Sequence, residues 1–143
     1  WNVYGIEKDM EKAHVITDFI RKGFETGVID MMTDGTEARE FLYAEDCCEA
    51  LESVMENYDQ LTSNDELHIT TGSHTTILEV ARIIQRLFSN IEKDVVIQPA
   101  ESKDEVQKDA RNIPDPYIKK FWRSKTSLKK GITKVFEEMK KDY

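Results

Sequence analysis

Residues 33–46 of this 143-residue chain read Thr33-Asp34-Gly35-Thr36-Glu37-Ala38-Arg39-Glu40-Phe41-Leu42-Tyr43-Ala44-Glu45-Asp46. The Asp34-Gly35 step supplies a turn. Phe41, Leu42 and Tyr43 then form an extended, aromatic piece, and Asp46 stands near the start of a helix. The plain reading is a hairpin turn followed by a strand and a helix. Arg39 admits a sharper one, because it stands between a turn and an aromatic strand. There its planar fork can hold a phosphate or carboxylate through two parallel hydrogen bonds. The residues alone leave both readings open.

The chain on either side alternates short strands with amphipathic helices. Residues 1–5, Trp1-Asn2-Val3-Tyr4-Gly5, read as the tail of a strand ending at a glycine, as if the domain began inside that strand. Val15, Ile16, Phe19, Ile20 and Phe24 recur at helical spacing, with Gly27 as a stop. Residues 28–33 are β-prone. A second helix is expected over about residues 45–58, with Cys47, Leu51, Val54, Met55 and Tyr58 on its inner face. A strand is expected at 67–70, closed by Gly72. Thr76-x-x-Glu79 is a capping box opening a helix that buries Ile77, Val80, Ala81, Ile84, Leu87 and Phe88. A strand over 95–97 ends before Pro99, and residues 100–113 lack a pattern and read as a loop. A short helix follows Pro114-Asp115-Pro116 and runs through Trp122. A last helix from about Ser127 buries Leu128, Ile132, Val135, Phe136 and Met139. The fold class is therefore α/β, with no internal repeat and no second domain.

Composition excludes several functions. With 20 Lys plus Arg against 28 Asp plus Glu the net charge is −8, and no Lys/Arg cluster is present, so nucleic acid is a poor partner. At 39% hydrophobic the chain can build one core, but its apolar runs fall far short of the ~20 residues that cross a bilayer. No charged-then-apolar leader pattern is visible. The two cysteines, Cys47 and Cys48, are neighbours, which argues against a disulfide framework and for a reducing, cytoplasmic compartment. His14, His68 and His74 are scattered, so no tetrahedral metal site is expected. No two of the six glycines are spaced Gly-x-Gly, so a dinucleotide fingerprint cannot be written into the chain.

Three local patterns invite chemistry and are better read otherwise. Tyr4-x-x-x-Lys8 has the spacing of a dehydrogenase Tyr/Lys pair, but at a strand end residues four apart do not face each other. Ser127-x-x-Lys130 resembles an activated serine, yet Ser127 serves better as a helix cap. Cys47 and Cys48 on one helix should pack one thiol inward and one sideways.

Taken in order, Asn2-Val3-Tyr4-Gly5, His14-Val15-Ile16 and Asp34-Gly35-x-x-x-Arg39-x-Phe41-x-Tyr43-x-x-Asp46 resemble the C-terminal portion of the extended short-chain dehydrogenase/reductase family. These are NAD-dependent epimerases, dehydratases and reductases of nucleotide sugars. Ile69-x-x-Gly72, Arg111-x-x-x-Asp115, Trp122 and Thr126-Ser127-Leu128-x-x-Gly131-Ile132 continue the likeness over the whole chain. His14-Val15-Ile16 and Arg39-Glu40-Phe41-Leu42-Tyr43 look most like the GDP-L-fucose synthase branch. Ile6, Thr17, Thr33 and Met32 stand where that pattern has Pro, Pro, Gly and an aromatic residue.

The resemblance implies a fold and a site. The fold is the C-terminal lobe of an extended Rossmann-type dehydrogenase, with residues 1–143 forming a single substrate-binding lobe. Residues 1–5 would be the tail of a cofactor-domain strand, and most of the rest a small α/β subdomain. The family's catalytic Tyr-x-x-x-Lys and glycine-rich cofactor loop lie upstream, so NAD or NADP would be bound by a missing N-terminal half. This segment alone would then be inactive. Asn2 and Arg39, helped by Arg111, would hold the diphosphate of a nucleotide-diphosphate sugar. The strand around residues 29–32, Met32 included, would lie against the base, Lys22 would touch substrate, and His14 would act as an acid/base group. A diphosphate in so acidic a protein calls for a local cationic pocket. The full-length protein would be a homodimer without membrane or nucleic-acid partners. A non-catalytic ligand-binding or regulatory module with the same fold is the alternative.

Overall fold

The computed structural model describes residues 2–61, 67–104 and 114–143. Two small sheets carry the strands. β1 (Asn2–Tyr4) runs parallel to β3 (Ala38–Tyr43), which pairs antiparallel with β4 (His74–Thr76). β2 (Val28–Asp30) pairs in parallel with β5 (Val96–Gln98). The helices are α1 (Val15–Glu25), α2 (Ala44–Glu56), α3 (Ile77–Ser89) and α4 (Leu128–Met139).

β3 sits between two apolar clusters because successive strand side chains point to opposite faces. Phe41 and Tyr43 enter the larger cluster, built on Ile16, Phe19 and Ile20 of α1, Val80, Ile84 and Phe88 of α3, and Ile132, Val135 and Phe136 of α4. Leu42 enters the smaller one, with Ala50, Ile118 and Trp122. Helical periodicity therefore located the buried faces of α1, α3 and α4 correctly, with Val15, Phe24 and Leu128 only partly buried. Both halves of the capping box form: Thr76 Oγ1 accepts from the Glu79 N–H at 3.1 Å, and Glu79 Oε2 accepts from the Thr76 N–H at 2.9 Å.

Three expectations change. The Asp34-Gly35 step is not a hairpin, since β2 pairs with β5 and not with β3. Gly35 instead adopts φ +75° and offers its carbonyl to the Leu78 N–H at 3.0 Å, docking the turn on the start of α3. Residues 67–70 are not a strand. Thr70 and the backbone at 71 and 72 donate to the Glu40 carboxylate, so a side chain rather than a ladder holds that segment, and the strand forms later as β4. Finally, Cys47 and Val54 pack against the smaller cluster as expected, but Leu51, Met55 and Tyr58 are exposed at 51%, 77% and 74%, and α2 turns Asp46 and Ala50 inward. Asp46 fixes that rotation by accepting from Ser124 Oγ, the Lys125 and Thr126 N–H groups and Thr126 Oγ1, at 2.6–3.0 Å. Residues 100–104 are irregular as expected, and the rest of that loop lies outside the described residues.

Candidate functional site

A cleft of about 500 Å³ opens between the start of β1, the first turns of α1, the end of β2 and the start of β3. Asn2, His14, Lys22, Met32 and Arg39 all line it, although 37 residues separate the first from the last. Arg111 lies outside the described residues. The convergence follows from the parallel pairing of β1 with β3, in which Asn2 lies opposite Phe41 and so near Arg39. The Asn2 amide also donates to the Glu40 carbonyl at 3.1 Å, tying the two strands together beside the cleft.

The cations in the cleft are paired. Arg39 Nη2 donates to Asp104 Oδ2 and Nη1 to the Ala38 carbonyl, at 3.2 Å in the second case. Both partners of that ion pair are largely shielded, with 21% and 15% of their side chains exposed. Lys22 Nζ reaches Asp18 at 2.9 Å and both the carboxylate and the carbonyl of Asp30, at 3.1 and 3.0 Å. Burial pulls the Lys22 ammonium down, but these partners outweigh it and hold its pKa above the ordinary lysine value. The expected cationic pocket is thus corrected: Asp18, Asp30, Glu37 and Asp104 line the same cleft. A shielded guanidinium needs an acceptor, and Asp104 supplies it. Glu37 Oε1 accepts from Thr33 Oγ1 at 2.5 Å while its buried Oε2 has no hydrogen-bond partner.

β2 and the residues after it face two ways. Ile29 and Met31 are buried at 0% and 6%, whereas Met32 is 90% exposed at the rim. At the other end of the cleft His14 is the N-cap of α1, and Glu7 bonds both its backbone N–H and its ring Nδ1. Sequence reasoning missed Glu7, Asp30, Glu37 and Asp104. In an acidic chain each looks like a solvated carboxylate, and 65 residues separate Asp104 from the arginine it pairs with. The local patterns set aside above stay silent. Tyr4 is buried and donates to the Leu128 carbonyl at 3.4 Å, Ser127 caps α4, and Cys47 is partly buried while Cys48 is exposed.

The described residues do not fit a nicotinamide dinucleotide. Its pyrophosphate needs closely spaced glycines between a strand and a helix. Here β3 runs straight into α2 at Tyr43-Ala44, and Gly5, after β1, is followed by an irregular segment and a short 3₁₀ turn. Among the described residues there is also no cluster of metal ligands and no helix long and apolar enough to cross a membrane.

Residues 1–70 match the NAD dependent epimerase/dehydratase family. That match spans just under half of the chain. Among curated relatives, a GDP-L-fucose synthase of Sinorhizobium fredii is 29% identical over 143 residues, covering 95% of this chain and 44% of the synthase. Among solved structures, the UDP-glucose 4-epimerase of Thermotoga maritima, determined with UDP-glucose, superposes with a TM-score of 0.72 at 25% identity, over 99% of this chain and 44% of the epimerase. A GDP-mannoheptose C4 reductase of Campylobacter jejuni, with NADP bound, gives a TM-score of 0.73 at 21% identity, over 97% of this chain and 51% of that one, and supports the fold alone. The chain therefore spans about half, or less, of the length of these relatives. Its α/β architecture is that of their extended Rossmann-type fold.

Proposed function

We propose that this chain is the nucleotide-sugar-binding lobe of an NAD(P)-dependent epimerase, dehydratase or reductase, with Arg39 holding the substrate diphosphate. One observation carries the reading: Arg39, Asn2, Lys22 and His14 share one cleft of about 500 Å³, a size suited to a small-molecule ligand. The relatives named above act on GDP- and UDP-sugars, which supports the same ligand class here. In this reading the dinucleotide is held by a part of the protein not in this chain, which accounts for the missing glycine-rich turn and leaves the lobe inactive by itself. Arg39 binds the diphosphate by exchanging Asp104 for phosphate oxygens. Asn2 positions the strand pair beneath it, Met32 offers an apolar rim to the base, Lys22 touches substrate, and Arg111, outside the described residues, is assigned as a further cation. His14 moves a proton at the sugar. A cytoplasmic homodimer completes the proposal, in keeping with the free Cys47 and Cys48.

The test is calorimetry on the full-length protein with UDP- and GDP-sugars. Arg39→Ala is expected to weaken binding at least ~tenfold, the equivalent of about 1.4 kcal/mol. Affinity unchanged in the variant overturns the assignment.

A further inference from the structure

We propose that Glu7 is the positioning residue of His14. It fixes the imidazole as the Nδ1–H tautomer, so that Nε2 is the nitrogen presented to a ligand in the cleft. This deepens the proposed function and rests on its reading of the cleft as the substrate site.

The contact is two-pronged. Glu7 Oε2 accepts the His14 backbone N–H at 2.9 Å, and Oε1 meets His14 Nδ1. The first bond satisfies a donor at the start of α1, where backbone N–H groups have no helical partner. A capping role would be complete with that bond alone. The second bond does something a cap does not need. A carboxylate is an acceptor only, so the ring nitrogen facing it carries the proton. In a neutral imidazole the other nitrogen is then bare, and the hydrogen bond made by one nitrogen sets the role of its opposite.

The surroundings favour a fixed carboxylate. Only 21% of the Glu7 side chain is exposed, against 73% of His14. Burial raises the Glu7 pKa, but hydrogen bonds from His14 and Thr17 outweigh it and hold the group below its ordinary value, hence charged and accepting at neutral pH. Thr17 is itself buried on α1 at 2% exposure, which gives Glu7 a rigid backing. The ring is thus anchored on one side and open on the other. His14 lines the cleft, and among the described residues no hydrogen bond uses Nε2. An acceptor nitrogen at a cleft wall takes a proton from a substrate carbon or hydroxyl and returns it, without net change in the protein.

The experiment is nitrogen-15 NMR of the histidine rings in the full-length protein at pH 8.5, with His14→Gln used to assign the His14 signals. The expected wild-type pattern places the proton on Nδ1, the minor form of free histidine. In Glu7→Ala the pattern is expected to shift to the ordinary Nε2–H form. A wild-type ring already in that ordinary form overturns the inference, and this readout needs no variant to fold. Steady-state turnover supplies the second arm: Glu7→Ala is expected to lower kcat about tenfold while KM stays within about twofold. Glu7→Gln, which keeps the shape and one acceptor, is expected to recover part of that loss. A shifted tautomer with full turnover in both Glu7→Ala and His14→Gln would keep the positioning contact and sink the catalytic reading of His14. Loss of turnover in His14→Gln with an unmoved tautomer in Glu7→Ala would do the reverse.

Discussion

Arg39 spends its terminal nitrogens on Asp104 and on the Ala38 carbonyl, so an anionic ligand meets a competitor already in place. Removing the charge of that competitor should help the ligand. Asp104→Asn is expected to tighten nucleotide-sugar binding by about fivefold, the worth of a partly exposed ion pair of ~1 kcal/mol, as read by calorimetry on the full-length protein. Weaker binding would instead make Asp104 part of the ligand's own contacts. Asp46 illustrates a different use of a carboxylate. Burial raises its pKa, yet the donors from Ser124, Thr126 and Lys125 outweigh burial and hold it below the ordinary aspartate value. A carboxylate depressed in the folded state stabilises the fold above the unfolded pKa, and that contribution is lost as pH falls below about 4. Asp46→Asn is therefore expected to cost about 2 kcal/mol at pH 7 in urea unfolding and to flatten the loss of stability as pH falls below about 4. An equally steep acid limb in the variant would contradict that assignment.

Among the elements, α3 was the most legible and β4 the least. α3 announces itself through Thr76-x-x-Glu79 and six apolar residues at helical spacing, and every one of those six is buried. Its cap carries a testable magnitude: Thr76→Ala is expected to cost about 1 kcal/mol, measured by thermal or urea unfolding. An unchanged midpoint would show that tertiary packing alone holds the helix start. β4 consists of His74, Thr75 and Thr76, none fully buried, and no alternation marks it, because its pairing is dictated by β3 opposite. α2 was located, but its inner face was right only at Cys47 and Val54. Apolar residues occur around much of its circumference, and the face that packs is chosen by Asp46, a charged residue whose partners lie 78–80 positions away. The cleft was half legible for the same reason. Arg39, Asn2 and His14 could be picked out by the pattern they share with a known family, whereas Glu7 and Asp104 matter only through the three-dimensional company they keep.

For the whole molecule, the distribution of exposed apolar side chains is the informative quantity. Leu51, Met55 and Tyr58 recur along one side of α2 and the turn after it, and Val3 stands 42% exposed on β1, an edge strand of its sheet. Unpaired edges and apolar stripes invite association. The 143-residue chain by itself is expected to self-associate at micromolar concentration, as read by light scattering after size exclusion. Lysine at both Leu51 and Met55 should shift it toward monomer. A monodisperse wild-type monomer would show that these surfaces are inert.

Tyr4 and Gly131 meet so closely that a methyl group at 131 would stand 2.0 Å from the phenol oxygen. The hydroxyl also reaches the Leu128 carbonyl, so β1 and α4 are buttoned together across 124 positions of sequence. Neither element can fray on its own without undoing the other. The notch at Gly131 thus acts as a clasp, which makes the two extremities of the described fold a single cooperative unit rather than loose flaps.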